Sequence, residues 1–89
     1  SVSDNYPNPF NPTTAVELSL PNERFVTAVV YDVTGREVKI LASEQMNGGL
    51  HLLNWDGTEM RGNHVAAGIY LLSVRAGNDF RIRKMTLLK

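Results

Sequence analysis

Apolar side chains in this chain recur at every second position and form no convincing helical stripe. That alternation constrains the fold more than any other feature. Val16-Glu17-Leu18-Ser19-Leu20 alternates cleanly before Pro21-Asn22 ends the run. A strand turns successive side chains to opposite faces, so each such run has one face to bury and one to wet. Phe25 to Tyr31 is rich in β-branched and aromatic residues and places Val26, Ala28 and Val30 on one face. Arg36 to Leu41 returns from it, with Val38 facing in, and Leu50 to Trp55 puts His51, Leu53 and Trp55 on a common face. Gly68 opens the most apolar run, Ile69 to Val74, in which Tyr70, Leu72 and Val74 share one face. Being apolar on both faces, it belongs inside a sheet. Phe80 to Leu88 is the last strand, and its apolar residues change parity between Phe80, Ile82 and Met85, Leu87. A bulge near Arg83-Lys84 would bring both pairs to one face, ending regular pairing early and freeing the final residues.

The breaks between these runs are turn chemistry. Asp32-Val33-Thr34-Gly35 predicts a hairpin loop with Gly35 at the φ > 0 position that a type I turn with a bulge requires. Ser43 to Gly49 reads as a polar connection, Asp56-Gly57 as a turn opening a loop that runs to Ala67, and Ala76-Gly77-Asn78-Asp79 as a tight turn. The opening, Asn5 to Pro12, carries three of the four prolines, so it is extended and cannot be a central strand, with Tyr6 and Phe10 as its expected anchors on the core. Six or seven short strands at this spacing predict an all-β, immunoglobulin-like antiparallel β-sandwich. The 89 residues make one domain, 1–89, with 1–13 as a proline-rich lead-in.

Composition removes several function classes. Nine basic and nine acidic residues balance, which argues against a nucleic-acid partner, since that needs a basic footprint. No apolar run approaches the roughly 20 residues of a membrane-spanning helix. There is no cysteine, hence no disulfide and no thiolate metal site. Ser1 to Asp4 has neither a basic start nor an apolar stretch and is not a signal peptide, so the chain reads as a segment of something longer.

Candidate chemistry is sparse. His51 and His64 are the only histidines, and no serine stands with either in a nucleophilic constellation, so no catalytic residue and no enzyme is expected. His51 reads as half-buried and bonded to backbone, His64 as solvated. Asp56-Gly57-Thr58-Glu59 lacks the acidic positions of an EF-hand and reads as a turn, with an isolated loop calcium ion as the lesser alternative. Trp55, Tyr31 and Tyr70 read as core and sheet-face packing, with a sugar-stacking platform as the lesser alternative. No cofactor or metal is expected. Arg81, Arg83, Lys84 and Lys89 make the last nine residues basic, either to protect an edge strand or to form an extended signal.

Five blocks in order resemble a known family. Asn5-Tyr6-Pro7-Asn8-Pro9-Phe10-Asn11-Pro12 is similar to the opening of the C-terminal sorting domains (type A) of the type IX (Por) secretion system. Asp32 with Gly35, then Trp55-Asp56-Gly57, then Gly68-Ile69-Tyr70 resemble later blocks of that family, and Lys84 to Lys89 resembles its basic terminus. The Trp55 and Gly68 blocks are shared with the immunoglobulin-like domain of flagellar hook-capping proteins. The resemblance implies a C-terminal module that directs an exported protein of Bacteroidota-type bacteria from the periplasm to the cell surface or medium. Its partners would be the outer-membrane secretion machinery and an N-terminal cargo domain in the same polypeptide, and it would be a monomer. The sorting signal would lie in Lys84, Met85, Leu87, Leu88 and Lys89. Two alternatives are an immunoglobulin-like structural or spacer domain, as in the hook-capping proteins, and an accessory carbohydrate- or cell-binding module of a secreted enzyme.

Overall fold

A computed structural model describes residues 1–88. The six strands are β1 (Thr14–Leu20), β2 (Arg24–Asp32), β3 (Glu37–Met46), β4 (Gly49–Trp55), β5 (Gly68–Ala76) and β6 (Asp79–Leu87). They form two antiparallel sheets, β1-β4 and β3-β2-β5-β6. The immunoglobulin-like sandwich expected from the alternation is therefore present. β5 lies between β2 and β6, as its two apolar faces require.

Every second residue of each strand points into the gap between the sheets. Val16, Leu18, Val26, Ala28, Val30, Val38, Leu53, Trp55, Tyr70, Leu72 and Val74 are all buried there. The lead-in adds Val2 and Phe10. Trp55 is the largest buried side chain and lies between two other rings. Phe10 is tilted against it at 5.5 Å between centroids, and Tyr70 meets it edge-on at 5.1 Å. Its indole N–H donates to the Thr58 carbonyl at 2.9 Å, and the Tyr70 hydroxyl donates to the Ala66 carbonyl at 2.6 Å. Both aromatic polar atoms are thus satisfied while the rings stay dry, as burial demands.

Two expectations about the strands fail. β3 does not stop at Leu41: it runs to Met46, pairing Ala42–Met46 with Arg24–Ala28, and only Asn47-Gly48 separates it from β4. The stretch is polar because β3 is an edge strand, with one neighbour and a solvated flank. Two bulges do occur, but in the β2–β3 pair, between Ala28/Val29 and Val30/Tyr31. The β5–β6 register is unbroken from Gly68↔Leu87 to Ala76↔Asp79, with no bulge at Arg83-Lys84. The parity change is absorbed without one. Met85 and Leu87 face the core, whereas Phe80 and Ile82 lie on the outer face, where the Arg75 guanidinium sits 4.8 Å from the Phe80 ring centre.

Candidate interaction surfaces

The lead-in holds the last strand. Asn8 Oδ1 accepts the Thr86 N–H at 3.0 Å, and Asn8 Nδ2 donates to the Lys84 carbonyl at 3.2 Å. The Phe10 N–H donates to the Thr86 carbonyl, and the Leu88 N–H donates to the Phe10 carbonyl, both at 2.9 Å. Pro7 and Pro9 have no N–H to donate, and the Asn8 side chain between them supplies both a donor and an acceptor. Asn5 and Thr14 are buried and tie the loop down: Asn5 donates to Thr14 Oγ1 at 3.1 Å, which donates to the Pro7 carbonyl at 2.8 Å. At the other end of the lead-in, Arg83 reaches the Val2 and Ser3 carbonyls at 2.7 and 3.3 Å.

This geometry corrects the idea of a freed C-terminal segment. The edge of β6 from Lys84 to Leu88 is occupied by the chain's own Asn8 and Phe10. Met85 and Leu87 are core residues, 1% and 6% exposed, so their apolar contact is to the domain's own core. Lys84 and Leu88 remain exposed, and Lys89 lies outside the described residues. Tyr6 is also corrected. Its backbone pairs with Ala15, but its ring is 83% exposed, leaving Phe10 as the aromatic anchor of this segment.

The other motif residues build turns. Asp32 Oδ1 accepts from the Thr34 N–H, the Thr34 hydroxyl and the Arg36 N–H, at 2.9, 2.6 and 3.1 Å. The Thr34 hydroxyl is the largest cause holding its carboxyl below the usual range. Gly35 follows at φ +88°, where a left-handed residue closes the hairpin. Asp56 organises the β4–β5 loop in the same way. Its carboxylate accepts from the Thr58 N–H and hydroxyl, and that hydroxyl, with the Lys39 ammonium helping, lowers the Asp56 pKa. Lys39 Nζ bonds Thr58 Oγ1 at 2.8 Å, and Gly57 at φ +77° returns its carbonyl to the Val65 N–H. Gly68 opens β5 at φ +148°, beside Tyr70.

The aromatic platform does not assemble. Trp55 and Tyr70 are buried together, while Tyr31 lies on the outer face of the four-stranded sheet. His51 is half-buried and its Nε2 lies 2.6 Å from the Asn47 carbonyl; His64 is in an exposed loop. Among the described residues, no cluster of three metal-ligating side chains occurs.

What the alternation does not single out is the outer face of that sheet. Thr27, Val29, Tyr31, Leu71, Ser73 and Ile82 line an open groove of about 470 Å³, together with the stacked Arg75 and Phe80. The same period-two pattern yields this face as the complement of the core positions. Its signal is the apolar outward residues of β5.

Comparison with known proteins fits this architecture. The FlgD Ig-like domain family matches residues 7–79, which take in β1 to β5 whole. The chain belongs to that family. The basal-body rod modification protein FlgD of Salmonella typhimurium is 36% identical over 63 residues, covering 71% of this chain, and the Salmonella typhi protein matches equally. The chain spans 27% of the length of these relatives. Among solved structures, FlgD from P. aeruginosa is similar at 27% identity and a TM-score of 0.64, covering 83% of this chain and 57% of that one. Dimeric latent PorU from Porphyromonas gingivalis shares the fold at 21% identity and a TM-score of 0.73, over 98% of this chain and 9% of PorU. As an FlgD Ig-like domain, the chain keeps its Asp32-Gly35 and Trp55-Asp56-Gly57 turns and Gly68 within the matched span. Lys84 to Leu88 lie beyond it.

Proposed function

We propose that this FlgD Ig-like domain is a structural docking module of a larger exported protein, in the manner of the immunoglobulin-like domain of flagellar hook-capping proteins. The family match over residues 7–79 carries this reading. The apolar outer face of β3-β2-β5-β6 supports it, because an exposed groove rimmed by polar residues suits a protein partner. On this reading the motif residues hold loops in shape, and the domain needs no cofactor and performs no catalysis. The test replaces the Ig-like domain of Salmonella typhimurium FlgD with this chain. Hook assembly and motility should be retained, and Leu71→Asp in the groove should abolish both while the isolated domain stays folded. A folded chimera no better than FlgD lacking its Ig-like domain would contradict the proposal.

A second reading keeps the sorting module: 1–89 as the last segment of an exported protein, delivered through the periplasm to the cell surface by type IX outer-membrane machinery. It is favoured by one observation. The last strand beyond Asp79 lies outside the family match, and it is joined by hydrogen bonds to Asn8 and Phe10 of the Asn-Pro opening. These two segments are the first and last of the five blocks that resemble sorting domains. In a host with that system, a periplasmic reporter fused to the domain should reach the surface, and Lys84→Glu with Leu88→Asp should retain it inside. Surface display unaffected by both substitutions would remove Lys84 and Leu88 from any signal.

A further inference from the structure

The edges of the two sheets are not equally guarded. An edge strand presents unpaired backbone groups, and proteins usually cover, bulge or charge it. The β6 edge is covered from Lys84 to Leu88 by Asn8 and Phe10, and the rest of that strand carries Arg81 and Arg83. The β3 edge carries two bulges, Glu37, Lys39 and Glu44, and the Ile40 N–H rests on the Met60 sulfur. The β1 edge is covered by the lead-in, whose backbone bonds Ala15, Glu17 and Ser19. β4 has none of these devices. Its sequence, Gly-Leu-His-Leu-Leu-Asn-Trp, contains no charge, no proline and no bulge.

The register says which groups of β4 are open. Ala15, Glu17 and Ser19 turn their backbone away from β4, so their opposite residues Asn54, Leu52 and Leu50 turn theirs away from β1. Among the described residues nothing bonds these N–H and C=O groups. Beside them, Leu50 and Leu52 are 68% and 60% exposed on the outer face of the small sheet. A cover for this edge must therefore be an extended strand, uncharged, with leucine-sized residues at alternate positions on one face. β4 itself meets that description.

The geometry points to a second copy of this chain as the occupant, pairing β4 with β4 in an antiparallel, two-fold arrangement. The register that uses all three outward-facing residues sets Leu52 against the partner's Leu52 and Leu50 against the partner's Asn54. Such a pairing is isologous, so each contact is made twice. It extends the lead-in, β1 and β4 into one sheet through both copies, with Leu52 directly opposite the partner's Leu52 and Leu50 on the diagonal from it. It replaces the monomer expected from the sequence, and it does not depend on the docking reading above, which uses the opposite sheet.

The test uses the 89-residue chain in two experiments. In sedimentation equilibrium up to about 1 mM, the mass should climb from 9.9 kDa toward twice that value. Leu52→Lys should hold it at the monomer mass with an unchanged circular dichroism spectrum, while Ile82→Lys on the other sheet should leave association intact. Because the chain has no cysteine, Leu52→Cys should oxidise to a covalent dimer. Hydrogen-bonded antiparallel partners stand about 5.5 Å apart at Cα, within disulfide reach. Glu17→Cys, which opposes Leu52 one strand inward, should not cross-link, since the two copies would be about 14 Å apart. A wild-type chain monomeric at 1 mM, association abolished by Ile82→Lys instead, or equal cross-linking at both cysteines would each overturn the proposal.

Discussion

Asn8 does for Thr86 what a neighbouring strand would do, accepting its N–H at 3.0 Å while donating to the Lys84 carbonyl at 3.2 Å. One side chain thereby supplies the donor and acceptor that a strand edge needs, from a segment whose prolines cannot. Asn8→Ala removes both bonds at a partly solvated site. We expect a loss of about 1 kcal/mol, at the low end for two hydrogen bonds because water replaces them. In a domain of this size that lowers Tm by about 4–8 °C, read by thermal circular dichroism.

Met85 sets a trap for any truncation study. It is 1% exposed and packs with Leu87 in the core, so deleting Met85 to Lys89 removes core as well as terminus. Met85→Ala alone should cost about 2–5 kcal/mol in urea unfolding. Lys84→Glu, on the exposed side, should cost less than about 0.5 kcal/mol. Equal effects of the two would mean that Met85 does not face the core.

Trp55 joins three regions of the fold: Phe10 of the lead-in, Tyr70 of β5 and the Thr58 carbonyl of the loop. Trp55→Ala should cost about 3–5 kcal/mol, a large share of the 5–15 kcal/mol typical of a domain. The midpoint in denaturant should fall accordingly, and the wild-type indole fluorescence should resist soluble quenchers until unfolding.

At Gly35 the strain can be isolated from packing, because a side chain there would meet no atom within 4 Å. Gly35→Val should cost about 1–3 kcal/mol from the left-handed φ of +88° alone. Gly35→Asn, which tolerates that region better, should cost less. Equal melting of the two variants would remove the backbone explanation.

Asp32 and Asp56 make the fold acid-sensitive. Hydrogen bonds from Thr34 and Thr58 hold their folded pKa values below the ordinary 3.8. A depressed carboxyl stabilises the fold fully above its unfolded pKa, and that contribution is lost as pH falls through the folded value. Urea midpoints should therefore hold from pH 7 to about 5 and drop below about 4. Asp56→Asn should be less stable than the parent at pH 7, with the gap closing near pH 2.

Most of the sandwich is legible in the sequence because alternation fixes which residues share a face. Val26, Ala28 and Val30 can only be buried together once Phe25 to Tyr31 is a strand. The failures have a common cause. Phe80 and Ile82 read as inward because they are apolar, but the outer face of this sheet is apolar too, with Val29, Tyr31 and Leu71 lining the same groove as Phe80 and Ile82. Hydrophobicity alone cannot choose between two faces when both accept it. The polar run Ser43 to Gln45 escapes recognition as strand for the opposite reason: an edge lets polar residues pair. The motif residues are legible as turns, and Asn8 as one member of a motif, but nothing local in sequence ties Asn8 to Thr86, 78 residues away.

Native-state hydrogen exchange at Thr86 and Leu88 tests whether the lead-in and the last strand are one structural unit. Both amides lie on the strand edge and donate to the lead-in, to Asn8 Oδ1 and the Phe10 carbonyl. Both should exchange slowly in the parent, at rates near those of core amides such as Leu72. Asn8→Ala should accelerate Thr86 strongly while leaving Leu72 unchanged. Fast exchange of Thr86 and Leu88 in the parent, as expected of a free terminal strand edge, would mean that the lead-in does not hold the last strand.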